Sequence, residues 1–169
     1  MVTFGTTVVS STGFRGDIYF LDARTLKLPR FEKLKPVGSI YTNVLHVPAR
    51  EFSTGFPGVT DRFEWFAIDY SGRFWVRDAG KYDFFLMSDD GSKLYIDGKT
   101  VINNDGLHGV MTRSGSANLK AGVHRIRVSY FQGPRFHVAL VLDFRRPGEE
   151  WRPFDMDGFL PPQGHEEWK

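Results

Sequence analysis

The chain contains no cysteine in its 169 residues, so neither a disulfide framework nor a thiolate zinc centre holds it together. No apolar run approaches the roughly 20 residues that cross a bilayer as a helix, and no membrane span is expected. The amino end, MVTFGTTVVSSTG, lacks the basic stretch that precedes the apolar core of a secretory signal. Nor is there an excess of either charge. Lys and Arg number 22 against 20 Asp and Glu, a formal net charge of +2, far too even for a chain whose main partner is a phosphate backbone. No internal repeat is visible, and no segment keeps a helical period for more than about two turns. The sequence carries no GxSxG, HExxH or Cys-His arrangement, and histidines 46, 108, 124, 137 and 165 are not spaced as metal ligands. The chain reads as non-enzymatic.

What is present is aromatic and glycine-rich: 16 Phe, 6 Tyr, 4 Trp and 18 Gly, a composition that favours strands and tight turns. At this length a globule removes roughly 70% of its unfolded surface from water, so one domain can build a real core. Ile126, Val128 and Tyr130 alternate with polar residues, as do Val138, Leu140, Leu142 and Phe144. This period of two predicts antiparallel strands over 123–131 and from 136 to 144, joined at Gln132-Gly133-Pro134. Residues 62–70, 73–78, 81–88, 93–96 and 99–103 read as further strands, separated by turn signals at Ser71-Gly72, Ala79-Gly80, Asp90-Gly91, Asp97-Gly98 and Asp105-Gly106. The fold class is therefore all-β, an antiparallel β-sandwich or jelly roll. The domain runs over 1–144, with a Pro- and aromatic-containing tail over 145–169. Residues 25–37, with two prolines and four basic residues, suit an arm crossing the sandwich.

The richest stretch is SDDGSKLYIDGK, residues 88–99. Gly91 and Gly98 are expected at positive φ in two turns. Asp97-Gly98 needs nothing more, but Asp89 and Asp90 are adjacent carboxylates that repel wherever they converge. A hard cation resolves that conflict, and Ca²⁺ accepts 6 to 8 oxygens; a bare Asp-Asp-Gly turn is the alternative. Gly98-Lys99-Thr100 imitates the end of a phosphate-binding loop, but Lys93 stands where its first glycine must be. Arg15-Gly16-Asp17 spells an integrin tripeptide, yet it runs straight into Ile18-Tyr19-Phe20 and reads as the start of a strand.

SDDGSKLYIDGK, followed by Asn104-Asp105-Gly106-Leu107-His108 and preceded by Gly80-Lys81-Tyr82-Asp83-Phe84, resembles the signature of the PA-fourteen domain, named after a fragment of anthrax protective antigen. GFRGDIYF, GFPGVTDRFEWFAIDYSGRFWV and AGVHRIRVSYFQGPRFHVALVL follow in the family's order, so the resemblance spans roughly residues 13–144. It implies a β-sandwich that serves secreted and surface proteins as a carbohydrate-binding or adhesion module. It places the chain outside the cell or on its surface, with the cytoplasm as the alternative. In lectin members the two aspartates are joined by a cis peptide and bind Ca²⁺, which binds sugar hydroxyls. Carried over, Asp89, Asp90 and Gln132 hold calcium, although yeast adhesins use an asparagine in a longer loop where Gln132 stands. His108 and Arg135 are expected at the ligand's rim, and Gly91, Gly98, Asp105 and Gly106 in the supporting turns. The alternative is a docking subunit that self-associates or joins an assembly through the 25–37 arm and Trp151, Phe154, Phe159 and Trp168 of the tail.

Overall fold

The computed structural model describes residues 12–165 and 168; the amino-end segment read above lies outside them up to residue 11. Two antiparallel sheets pack face to face. The strands are β1 (Phe14–Phe20), β2 (Gly38–Thr42), β3 (His46–Glu51), β4 (Phe66–Val76), β5 (Gly80–Asp89), β6 (Ser92–Ile96), β7 (Lys99–Asn104), β8 (Met111–Leu119), β9 (Gly122–Gln132), β10 (His137–Arg145) and β11 (Arg152–Pro153). The first sheet has the order β2-β1-β4-β9-β6-β7 and the second β11-β10-β5-β8, with β3 also paired to β10. The sandwich expected from the alternation is the observed architecture. Phe66, Ile68, Tyr70, Phe74 and Val76 of β4 and Ile126, Val128 and Tyr130 of β9 face inward. They meet Tyr82, Phe84 and Leu86 of β5 and Val138, Leu140, Leu142 and Phe144 of β10 in one core, because successive side chains on a strand alternate between faces.

Several expectations change. Ser71-Gly72 is no turn: β4 runs through it, and Gly72 is the point where Met156 approaches so closely that a Cβ would lie 2.5 Å from its methyl carbon. β9 and β10 are consecutive but do not pair; β9 lies between β4 and β6, and β10 between β5 and β3 or β11. Their connection therefore crosses from one sheet to the other. β8, whose MTRSGSANL lacks an apolar alternation, forms the edge beside β5. There Gly115 lets β7 approach, since a Cβ would run into the Val101 carbonyl oxygen. The Arg15-Gly16-Asp17 triplet lies within β1, paired on both sides.

The 25–37 arm crosses the outer face of the first sheet, where Phe31 is buried with Tyr19, Leu21, Ala67 and Phe131. Of the four tail aromatics expected to meet a partner, three are buried in the chain itself, and Trp151 stays 37% exposed. Phe154 is 0% exposed, stacks on Phe159 at 4.6 Å and meets Phe74, Phe84 and Phe144. Phe159 and Trp168 are also buried, and Trp151 packs on Phe85. The physical reason is that β11 pairs with β10 and carries the following residues into the open end of the core, so the chain supplies its own cover for these groups.

Candidate metal and ligand site

At the end of β5 the peptide bond between Asp89 and Asp90 is cis. The following turn is pinned to the end of β9: Asp90 N–H donates to the Phe131 carbonyl at 3.2 Å, and Phe131 N–H to the Gly91 carbonyl at 2.9 Å. Gly91 has no positive φ, so that expectation fails, while Asp97 (φ 50) and Gly98 (φ 77) both take the left-handed conformation of a hairpin turn. Gly91 is required for space instead. A Cβ there would lie 2.5 Å from the Phe131 ring and 2.8 Å from Gly106 N.

The two carboxylates differ in their surroundings. Asp90 Oδ1 accepts the His108 N–H at 3.1 Å and Oδ2 the Gly133 N–H at 2.7 Å. Burial pushes its pKa up, and these two donors draw it back. Asp89 is 4% exposed, yet its carboxylate makes no hydrogen bond or ion pair among the described residues. Burial, and then the charge of Asp90, push its pKa up to about 6, against the pull of His108 and His137. A buried carboxylate without a donor is costly to ionise.

Gln132, expected to offer an amide oxygen to the metal, is 0% exposed. Its Oε1 accepts from the Tyr130 hydroxyl at 3.0 Å, while Nε2 donates to the Pro134 and His137 carbonyls. It therefore braces the loop between β9 and β10 from beneath. The Asp89 carbonyl lies 2.8 Å from the same Tyr130 hydroxyl, whose single proton is shared between the two acceptors. His108 is likewise turned inward: its ring nitrogens lie 2.7 Å from the Asn104 and Gly109 carbonyls, and what it brings to the site is its main-chain N–H. Asp105 Oδ1 accepts from Gly106 N–H and, across the fold, from Leu28 N–H of the arm. Gly106 has φ 114, so this pair forms the expected turn. Arg135 is exposed at the rim, its main-chain N–H 3.1 Å from Glu64 Oε2 and its guanidinium lying over Phe52.

Reading the sequence missed Tyr130, Glu64 and Trp65. Trp65 holds φ 56, unusual for so bulky a residue, and its N–H donates to the Gly133 carbonyl at 3.2 Å. Nothing in their spacing marks these residues; Gly133 alone offered a signal, as a glycine in a loop. A Cβ on it would lie 3.0 Å from Asp90 Oδ2.

Two converging carboxylates, one of them donor-free and buried, suit a hard divalent cation. Gln132 does not belong to that set. Among the described residues no group of three or more His, Asp or Glu side chains gathers to hold a metal, so further oxygens must come from the main chain, water or a ligand. Leu107, whose side chain reaches Gly133 beside Asp90, is exposed, as are Val110 and Phe136 of the flanking loops, Phe136 at 74%.

The PA14 domain profile matches residues 12–153. No protein with curated function matches the sequence. Among solved structures, the PA14 domain of the MpAFP antifreeze protein superposes with a TM-score of 0.73 at 19% identity, covering 92% of this chain and 94% of that one. The PA14 sugar-binding domain from an RTX adhesin gives 0.69 at 19% identity, covering 86% and 96%. Epithelial adhesin 9 A domain from Candida glabrata, in complex with Galβ1-3GlcNAc, gives 0.59 at 14% identity, with 88% of each chain covered.

Proposed function

The chain belongs to the PA14 domain family, and from that premise we propose that it is a non-catalytic, calcium-dependent carbohydrate-binding or adhesion module. The observation that carries this reading is the pair Asp89-Asp90: one carboxylate pinned by two main-chain donors, the other buried with no partner. Calcium bound there supplies a positive centre with coordination positions for sugar hydroxyls. The chain's own residues do the rest. Asp90 is held by the loops bearing His108 and Gly133, Tyr130 and Gln132 fix the floor, and Phe136, Leu107 and Val110 offer apolar surface to the C–H face of a sugar. Arg135, held back by Glu64, stands at the edge with donors for a ligand's oxygens. The sugar-binding domain of an RTX adhesin and a Candida glabrata adhesin domain bound to a disaccharide share this fold, which supports the ligand class without naming the sugar. Such a module works outside the cell or at its surface. The competing docking role loses three of the four tail aromatics it rested on, since Phe154, Phe159 and Trp168 are covered by the chain itself and Trp151 alone stays exposed.

The test is calorimetric titration of calcium into the chelator-treated protein and into Asp89→Asn, followed by glycan-array binding with calcium and with chelator. Binding by the wild type alone, and glycan capture that chelator abolishes, are expected. A wild type that takes up no calcium, or that captures glycans equally in chelator, overturns the reading.

A further inference from the structure

A second feature lies on the outer face of the first sheet, far from the aspartates. Arg73 of β4 and Arg125 of β9 are direct cross-strand partners, so their side chains leave the same face from neighbouring positions. Like charges placed opposite one another destabilise a sheet unless a counter-charge neutralises them. Here neither guanidinium makes an ion pair or hydrogen bond among the described residues. The nearby Asp97 is engaged elsewhere, its Oδ1 accepting the Arg125 N–H and its Oδ2 lying 2.6 Å from His124 Nδ1. A third guanidinium, Arg127, is held by Asp69 at 2.8 Å and lies against the ring of Tyr95. These residues line an open cleft of 950 Å³. Trp168 flanks it, with the Arg73 guanidinium 5.5 Å from its ring centre. Arg125 is seven residues from Gln132 along β9, or about 23 Å at strand rise, so the cleft is separate from the calcium site.

We propose that this cleft binds an acidic sugar, its sulfate or carboxylate gripped by Arg73 and Arg125 and its ring set against Tyr95. Guanidinium groups match the planar or tetrahedral oxyanion through paired N–H donors. A glycan fits better than a nucleic acid because the unneutralised charge is confined to one pair on a chain of net charge +2, whereas a phosphate backbone needs a long basic track. The site requires no cation, so it stands or falls independently of the calcium reading.

The test is binding in chelator of a heparin-derived sulfated hexasaccharide, its desulfated counterpart and a non-sulfated oligouronate. The probes distinguish the source of the anion: binding of the sulfated probe, the uronate or both, weakening at least tenfold between 50 and 300 mM salt by the screening of charge, supports the proposal. The double variant Arg73→Ser/Arg125→Ser should lose at least tenfold in affinity while still unfolding in a cooperative melt, since it trades the repulsion against the Arg73 contact with Trp168. Asp89→Asn should bind as the wild type. No binding of any acidic probe, or equal binding by the double variant, overturns the proposal. So does equal affinity for a DNA duplex lost in the same variant, which would make the patch a general polyanion surface. Glu166 and Glu167 adjoin Trp168 in sequence; binding seen only in Glu166→Gln/Glu167→Gln would show that the arginines serve the chain's own end, and would overturn it too.

Discussion

Asp90 Oδ2 accepts the main-chain N–H of Gly133 at 2.7 Å, and this bond joins the turn after β5 to the loop that crosses between the sheets. With the His108 N–H on the other oxygen, Asp90 is a structural tie as well as a candidate ligand. Asp89, with no donor on its carboxylate, has no such duty.

The two aspartates should therefore fail differently. Asp90→Ala leaves two main-chain donors without an acceptor and should cost about 1–3 kcal/mol even without calcium. Asp89→Asn should leave the calcium-free protein at least as stable as the wild type. Both should abolish the rise in melting temperature that millimolar calcium gives the wild type by binding the native state. Thermal melts of the three proteins, with calcium and with chelator, check this.

Acid should act on the calcium-free protein in an unusual direction. The pKa of Asp89 is pushed up to about 6 from an ordinary value of 3.8, by burial first and then by Asp90. Between those values the folded state holds a proton that the unfolded state has lost, so stability should fall as pH rises through about 4 to about 6 and then level off. Calcium affinity should rise over the same window, because the proton must leave before the oxygens can bind metal. Chelated protein melted across this range, beside Asp89→Asn, shows whether the dependence belongs to that group.

The two turn glycines should separate by mechanism. Gly98→Ala places a side chain at φ 77 with nothing within 4 Å, and should cost about 1–2 kcal/mol from backbone conformation alone. Gly91→Ala meets the Phe131 ring and main-chain Gly106, so it should cost more and weaken calcium binding as well, since it displaces the turn that carries Asp90. Denaturant midpoints and calcium titrations of both variants distinguish them.

Removing the tail's core contribution should hurt stability, not assembly. Phe154→Ala should cost about 3–5 kcal/mol, as for other fully buried aromatic rings. Deleting residues 145–169 should lower the melting temperature strongly while leaving the molar mass per particle, measured by light scattering, that of the same oligomeric state as the full chain.

The sequence by itself determined the strands and turns whose signals are local. Period-two alternation marked β9 and β10, and Asp97-Gly98 announced its hairpin, because side-chain direction and positive φ are properties of neighbouring residues. The adjacent Asp89 and Asp90 were legible for the same reason. Tertiary structure alone decided which sheet each strand joins, since β9 and β10 look like a hairpin until long-range pairing separates them. It decided that Gln132 and His108 point inward, because an amide or imidazole hydrogen-bonds whatever acceptor or donor the fold brings near, and the Tyr130 hydroxyl and the Asn104 and Gly109 carbonyls were nearer than solvent. It likewise decided the fate of the tail: Phe154 was an apolar group in a polar stretch, and burial is set by what lies opposite, here Phe74, Phe84 and Phe144 from three other strands.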